Sequence, residues 1–126
     1  MKKLLFISLA ILLILLAACQ SSEQQAVSTV EAYLRALVNK DESGLLNLTC
    51  ADWQMDALLE YDAYGNVGTT LKDLSCQVAS GDSTEVIVHC TGSIEATYQN
   101  EVQSFELDKR DFRLVNQGGD WLICGD

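Results

Sequence analysis

Proline is missing from the 126 residues, and no low-complexity tract or internal repeat interrupts them. Basic residues are few, with 8 Lys and Arg against 18 Asp and Glu, and there is one histidine. So acidic a surface repels the phosphate backbone of nucleic acids, and we expect no nucleic-acid partner. Apolar residues still make up 48% of the chain, which is typical of a single globular domain and not of a disordered segment.

The sequence also lacks an apolar run long enough for an ordinary membrane span. Leu4 to Ala18 is a run of fifteen residues in which only Ser8 is polar, whereas a spanning helix needs roughly 20. Lys2 and Lys3 precede this run. A basic start, a short apolar core and small residues at its end are the layout of a secretory signal, so a permanent transmembrane helix is the weaker interpretation.

The end of the apolar run adds a second feature. Leu16-Ala17-Ala18-Cys19 resembles the lipobox of bacterial lipoproteins. In that family the cysteine thiol receives a diacylglycerol, the signal is cut just before it, and the new amino terminus is often acylated with a fatty acid such as palmitate. The resemblance implies a signal peptide over residues 1–18 and lipidation of Cys19. Two or more acyl chains give the stable anchoring that one chain does not.

Cleavage before Cys19 would remove two basic residues and no acid. Six basic residues would then face eighteen acidic ones, and the net charge would move from −10 to −12. Since such a domain is repelled by anionic headgroups, acyl chains and not charge must hold it to the membrane. Residues 19–22 would form a short tether before a domain over residues 23–126. We therefore expect an exported protein on the extracytoplasmic side of the cell membrane, or of the outer membrane if the host has one.

Helical periodicity dominates the first half of the domain. Apolar residues recur at helical spacing from Val27 to Val38 and predict a helix over about 23–39, with a capping box between Ser22 and Gln25. Asp41 can cap a short leucine-rich second helix. A third helix is predicted over about 51–64, with an inward stripe of Trp53, Ala57, Tyr61 and Tyr64.

From Thr69 onward the apolar residues alternate, which is typical of β-strands. Turns are expected at residues 80–83, 99–101 and 117–120. They separate four strands, of which the third runs over about 102–115 with a bulge near residues 108–111. Helices followed by an antiparallel meander predict an α+β domain in which N-terminal helices pack on a curved four-stranded sheet.

This order of elements resembles the nuclear transport factor 2-like, or cystatin-like, superfamily. The resemblance rests on a first helix ending in Leu-Val-Asn-Lys-Asp (residues 37–41), two further helices, a long meander, and a closing Gly-Gly-Asp-Trp-Leu-Ile (residues 118–123). It implies a cone in which a bent sheet wraps the helices around an apolar cavity. Members include isomerases, hydrolases and transport factors, so the fold says little about activity.

Four cysteines follow Cys19, and an even number in a small exported domain predicts two disulfides. A five-residue hairpin loop places Cys76 opposite Cys90, whereas a three-residue loop leaves them diagonal. An intervening strand separates Cys90 from Cys124. The favoured pairing is Cys76–Cys90 with Cys50–Cys124, as in similar small members of the superfamily, although three connectivities are formally possible.

No residue pattern points to catalysis, a metal or another cofactor. The cysteines lack metal spacing, and His89 has outward parity in its strand, so we expect a surface histidine and not a general base. Asp52, Asp56 and Glu60 recur every four residues and predict a solvated acidic helix face. No acid of strands two to four has a clear inward position, because Glu106 and Asp111 depend on where the bulge falls.

Seven aromatic residues could line the cone or fill it: Trp53, Tyr61, Tyr64, Tyr98, Phe105, Phe112 and Trp121. We therefore expect a membrane-anchored module that binds a small apolar ligand or a protein partner, with a homodimer through the sheet face as one form of assembly. The alternative is a small hydrolase or isomerase that uses a buried acid in the cone.

Overall fold

The structure is a computed structural model that describes residues 21–126, so the predicted signal segment and Cys19 lie outside the described residues. Its helical half contains three α-helices, which are α1 (Ser22–Val38), α2 (Glu42–Asn47) and α3 (Gln54–Tyr64). A 3-10 turn, Ala51–Trp53, leads directly into α3. The prediction of three consecutive helices before the sheet is confirmed.

Helix α1 begins at a serine cap and buries one continuous face. The cap is Ser21 and not the predicted Ser22, because the Ser21 hydroxyl accepts the hydrogen bond from the backbone N–H of Gln24 at 3.2 Å. The apolar face has the expected spacing, and its buried residues are Ala26, Val27, Val30, Tyr33, Leu34, Ala36 and Leu37. This face packs on the concave side of the sheet, so α1 is the central helix of the core.

Helix α2 starts where predicted. The Asp41 carboxylate accepts the hydrogen bond from the backbone N–H of Gly44 at 2.9 Å, which satisfies one of the free donors at the helix start. The chain turns between α1 and α2 at Lys40, whose φ of 61° lies in the left-handed region. The Lys40 ammonium donates to the Tyr64 carbonyl oxygen at 2.6 Å and to Thr69 Oγ1 at 3.0 Å. Lys40 therefore fastens this turn to the end of α3 and to the first strand.

The sheet has five antiparallel strands, which are β1 (Gly68–Gly81), β2 (Glu85–Tyr98), β3 (Glu101–Glu106), β4 (Asp111–Gln117) and β5 (Asp120–Gly125). Their order is β1-β2-β4-β5, and β3 pairs with the far half of β2. The α+β class and the curved sheet are confirmed. The four-stranded count is not, because the long third strand is divided into β3 and β4.

The division of that strand follows from the bend of β2. Gly92 has a φ of 100°, and a Cβ there would lie 2.4 Å from the carbonyl oxygen of Lys72. The β1–β2 register shifts at the same place, between Lys72 and Ser75. Since β2 bends here, one straight neighbour cannot pair with both of its halves. The chain leaves the sheet as a 3-10 turn at Leu107–Lys109, and the buried Leu107 side chain enters the core.

The far edge of the sheet is joined to the helical layer. The segment after α2 pairs with β5 through two backbone hydrogen bonds of 2.9 Å, from Cys50 N–H to the Ile123 oxygen and from Ile123 N–H to the Leu48 oxygen. Helix α1 and this segment enclose a core whose largest fully buried side chains are Tyr33, Phe112, Leu34, Leu37, Leu45, Ile94, Leu114 and Ile123. Helices therefore cover the concave face of the bent sheet.

Candidate functional site

The seven predicted aromatic residues do not share one environment. Phe112 and Trp121 are buried, while the tyrosines and Trp53 are partly buried and Phe105 is 40% exposed. Phe112 packs edge-on against Tyr33, with ring centroids 6.2 Å apart, and Phe105 packs edge-on against Tyr64 at 5.7 Å. Phe112 and Trp121 therefore fill the interior, and the other five lie around its margin.

Several depressions border the described part of the chain. Among five depressions along residues 21–126, one of about 500 Å³ lies between α1 and α2 and includes Ala36 and Leu48 in its lining. None of these five is lined by Tyr33, Glu60 or Arg110, which meet at the margin of the core. The side chains of Tyr33, Phe112 and Leu114 have no exposed surface, so side chains occupy the space between α1 and the sheet.

The residues best placed for chemistry form an ionic group that joins three elements. Arg110, just before β4, donates to Glu60 of α3 through two hydrogen bonds, of 2.5 Å to Oε1 and 3.4 Å to Oε2. The same guanidinium pairs with the Asp126 carboxylate and lies 4.5 Å from the Phe112 ring centroid. The side chains of Arg110 and Glu60 are only 23% and 18% exposed. We call Tyr33, Glu60, Arg110 and Asp126 the Arg110 cluster.

Tyr33 completes the cluster from the central helix. Its hydroxyl donates to Glu60 Oε2 at 2.6 Å, and the whole residue is buried. Burial, followed by the negative charge of Glu60 and this hydrogen bond, raises the pKa of Tyr33 far above its ordinary value. Burial alone would lower the pKa of Arg110, but its hydrogen bond and charge interaction with Glu60 outweigh burial and raise it. Tyr33 therefore stays a neutral donor and Arg110 a cation.

The chemistry that this cluster can perform depends on which of its donor and acceptor atoms have no hydrogen-bond partner. Arg110 occupies Glu60 Oε1, and Tyr33 and Arg110 share Glu60 Oε2. These three hydrogen bonds take up most of the roughly four lone-pair sites of the Glu60 carboxylate, so little acceptor capacity is left for a substrate or water. Two buried donors of the described chain have no partner, Arg110 Nε and Trp53 Nε1. The geometry thus favours fastening α1, α3 and the end of β5 together over proton transfer.

The interpretation of Glu60 as part of a solvated acidic face is wrong. Asp52 and Asp56 are exposed, but Glu60 lies on the inward side, three residues after the buried Ala57 and four before Tyr64. Asp56 and Glu60 both lie within α3, one turn apart, and they differ because Tyr33 and Arg110 pack against Glu60 at its end of the helix. The sequence did contain a signal for Glu60. It lies four residues before Tyr64, and Tyr64 was already assigned to the inward stripe. Tyr33 carried a comparable signal, since it lies at helical spacing from Val30 and Leu37, whereas Arg110 and Asp126 carried none.

His89 lies on the outer face of the sheet, as its parity predicted. Its Nδ1 is 2.7 Å from Asp111 Oδ1, and the two side chains are 32% and 57% exposed. Glu106 is also exposed. The acids that depended on the position of the bulge therefore lie outside the core, and His89 is paired with one of them at the surface.

Both favoured cysteine pairs lie at disulfide distance. Cys76 faces Cys90 directly in the β1–β2 register, with Cα atoms 4.1 Å apart, and the Cα atoms of Cys50 and Cys124 are 5.3 Å apart. The second pair joins the segment after α2 to β5. Two disulfides fit an extracytoplasmic protein.

Residues 21–126 show neither a metal site nor a membrane-spanning helix. Residues 21–126 contain no group of three or more His, Cys, Asp or Glu side chains arranged to hold a metal ion. Within the same residues, no helix has both the length and the apolar character that crossing a membrane requires.

Comparison with known proteins supports the fold. No family model and no curated protein sequence matches the chain. A solved protein from Xanthomonas campestris pv. campestris classed as a polyketide cyclase is similar in structure, with a TM-score of 0.58 and 14% identity over 84% of this chain and 93% of that one. An LEH-like epoxide hydrolase from M. tuberculosis has a TM-score of 0.57 and 18% identity over 86% of this chain and 83% of that one. At such identities the likeness concerns the fold, which is nuclear transport factor 2-like.

Proposed function

We propose that the chain is a lipoprotein anchored through Cys19 on the extracytoplasmic side of a membrane, where it acts as a protein-interaction module. One observation carries this proposal. Side chains fill the inside of the cone, whereas large apolar side chains are exposed outside it, with Met55 and Leu59 of α3 exposed by 68% and 62%. Exposed apolar side chains that adjoin one another are typical of interaction sites.

The exposed side of α3 has a definite chemical character. Met55 and Leu59 are four residues apart and so lie next to each other on the helix surface. Asp52, Asp56 and Asp62 are exposed around them. We call these five residues the α3 face. Its complement is a protein surface with an apolar centre and Lys or Arg at the rim, because opposite charges at the rim favour encounter and orientation.

Comparative recovery from detergent-solubilised membranes tests this proposal. The tagged full chain is compared with a double variant, Met55→Ser with Leu59→Ser, and with Val102→Ser, which removes an equally exposed apolar side chain from β3. Chemical cross-linking before solubilisation identifies the part of the chain that the partner touches. We expect a partner protein that cross-links to α3, and we expect its recovery to fall roughly tenfold in the double variant but not in the control. Cross-links confined to the outer sheet face of a second copy would instead indicate the homodimer and contradict the use of α3.

A small apolar ligand is the other form of the binding proposal, and native mass spectrometry of the purified chain tests it. A bound mass that survives purification and is lost in Phe105→Ser would support binding at the margin of the cone. If the purified chain carries no additional bound mass under the same conditions, the result favours the protein partner. Phe105 is the informative position because it is 40% exposed and still contacts Tyr64.

The second candidate is a hydrolase or isomerase, and the Arg110 cluster is the observation in its favour. Glu60 is an acid held at the edge of the core by Arg110 and Tyr33, and its side chain keeps 18% exposure. The similar folds include an epoxide hydrolase and a protein classed as a polyketide cyclase. Incubation with a panel of epoxides, with product diols measured in wild type and Glu60→Gln, tests it. We expect no turnover above the uncatalysed rate; turnover that Glu60→Gln abolishes would establish the enzyme instead.

A further inference from the structure

We infer that the domain stands on the bilayer on one defined end, with the opposite end and the last turn of α3 held away from the lipid. This inference rests on the proposed anchoring at Cys19 and adds the orientation that such an anchor imposes. It identifies the lipid-facing surface of the domain.

The anchor at Cys19 is only a short distance from the start of α1. Cys19 precedes Ser21, the helix cap, by two residues, and two residues span at most about 7 Å in any conformation. The start of α1 is itself fixed to the sheet, because the Ser22 hydroxyl accepts a hydrogen bond from the indole N–H of the buried Trp121 at 3.1 Å. A lipid on Cys19 therefore holds the start of α1 and of β5 close to the headgroups.

The start of α1 lies beside two turns of the sheet. One depression is lined by Ser22 and Glu23 together with residues 81–83 of the β1–β2 turn. Another is lined by Gln25 together with residues 119–122 around the β4–β5 turn. Helix start and both turns therefore lie at one end of the domain. We call residues 21–25, 81–84 and 118–121 the anchor end.

The opposite end of the domain contains the ends of α1 and α3 and the start of β1. Helix α1 has 17 residues and so extends for about 25 Å before it ends at Val38. There Lys40 joins the end of α3 to the start of β1. The β2–β3 turn lies beside the chain that follows α3, since Asn66, Val67, Tyr98 and Glu101 line one depression. The last turn of α3 therefore lies at the end far from the anchor.

The charge of the anchor end defines the lipid that it tolerates. Its three stretches contain Glu23, Asp82 and Asp120 and no Lys or Arg. Anionic headgroups repel such a surface within a Debye length of about 10 Å at 0.1 M salt. A zwitterionic surface does not, so close contact requires a low density of anionic lipid. The orientation should therefore be tightest on zwitterionic membranes and loosen at low salt on anionic ones.

Energy transfer to labelled headgroups tests the orientation with the full lipidated chain in phosphatidylcholine vesicles. One donor dye is placed through Ser83→Cys at the anchor end and, in a separate chain, through Glu101→Cys at the far end; both positions are exposed. Mass mapping confirms that the two native disulfides are intact and that only the new cysteine is labelled. We expect transfer several-fold more efficient from position 83 than from position 101.

The controls separate the orientation from the anchor. If Cys19→Ala chains float with the vesicles as the parent chain does, anchoring at Cys19 and the orientation both fail. If Cys19→Ala abolishes flotation but the two positions transfer equally or in the reverse order, anchoring stands and the orientation is overturned. Replacement of part of the phosphatidylcholine by phosphatidylglycerol at low salt should reduce transfer from position 83, and unchanged transfer would contradict the role assigned to the acidic anchor end.

Discussion

Arg110 and Arg113 lie three residues apart and meet carboxylates on opposite faces of the sheet. Arg110 is 23% exposed and contacts Glu60, Asp126 and the Phe112 ring. Arg113 is 43% exposed, contacts Glu85 at 3.3 Å on the outer face and donates a hydrogen bond to the Cys124 carbonyl oxygen at 2.6 Å. Both residues are cations that pair with a glutamate. They differ in how much water surrounds the pair, and this difference decides what each contributes.

Water sets the energetic scale for each pair. At the surface, solvent and salt screen the attraction between charges, and holding two long side chains in place costs entropy. At the edge of the core the attraction is stronger, but an unpaired carboxylate there is correspondingly costly. Removal of the Arg110 cation should therefore destabilise the fold, because it leaves the negative charges of Glu60 and Asp126 close together without a compensating positive charge.

The largest expected effect is the loss of Arg110. Arg110→Met keeps much of the side-chain length and removes the charge, so it leaves Glu60 unpaired. We expect the free energy of unfolding to fall by about 2–4 kcal/mol, somewhat less than for a fully buried pair because Arg110 keeps 23% exposure. Urea unfolding followed by circular dichroism measures this value.

The matched control for Arg110→Met is its combination with Glu60→Gln. If the unpaired Glu60 carboxylate causes the loss, the double variant should recover a large part of the lost stability, and a double-mutant cycle gives the coupling. A double variant as unstable as the sum of its two single variants would show that Arg110 acts through packing on Phe112 instead.

The next effect concerns alkaline pH and arises mainly from Tyr33 of the Arg110 cluster. Since the pKa of Tyr33 is raised in the folded state by burial and by Glu60, the unfolded chain loses its proton first, above the ordinary value of 10.0. The contribution of Tyr33 is therefore complete below that pH and is lost as pH rises above it, by up to about 1.4 kcal/mol per pH unit. Urea unfolding between about pH 8 and pH 11 measures the slope.

Tyr33→Phe is the control for this pH dependence. It should be less stable at neutral pH, because Glu60 loses a hydrogen bond, and its stability should fall less steeply above pH 10. Some slope should remain, since burial and Glu60 also raise the pKa of Tyr64. Equal slopes in Tyr33→Phe and the parent chain would contradict the assignment of the alkaline loss to Tyr33.

The smallest effect is expected on the outer face. Arg113→Met should lower the free energy of unfolding by about 1 kcal/mol or less, since its partner Glu85 is 52% exposed. The loss should shrink further in about 1 M salt, where surface charges are screened. Urea unfolding at low and high salt measures both values. A loss as large as that of Arg110→Met would remove the contrast between the two arginines.

Local signals predicted much of the fold and little of the Arg110 cluster. The spacing of Val27, Val30 and Leu34 predicted α1, because a helix alone brings residues at that spacing to one face. The opposition of Cys76 and Cys90 was one of two registers that the sequence allowed, and the structure reaches it through a register shift between Val78 and Ser80 and not through a five-residue loop. Glu60 and Arg110 are fifty residues apart in the chain, and no local pattern relates them. Their meeting depends on how α3 lies on the core and on where the third strand divides.

The sequence by itself determined the α+β class, the order of helices and strands, the outward position of His89 and the turn capped by Asp41. Each of these depends on side-chain period or on a cap within a few residues. Tertiary structure alone decided that β3 and β4 are separate strands, that Glu60 faces inward, and that Phe112 and Trp121 fill the cone. The physical reason is that each of these depends on the bend at Gly92 and on the volume that remains when α1 packs against the bent sheet.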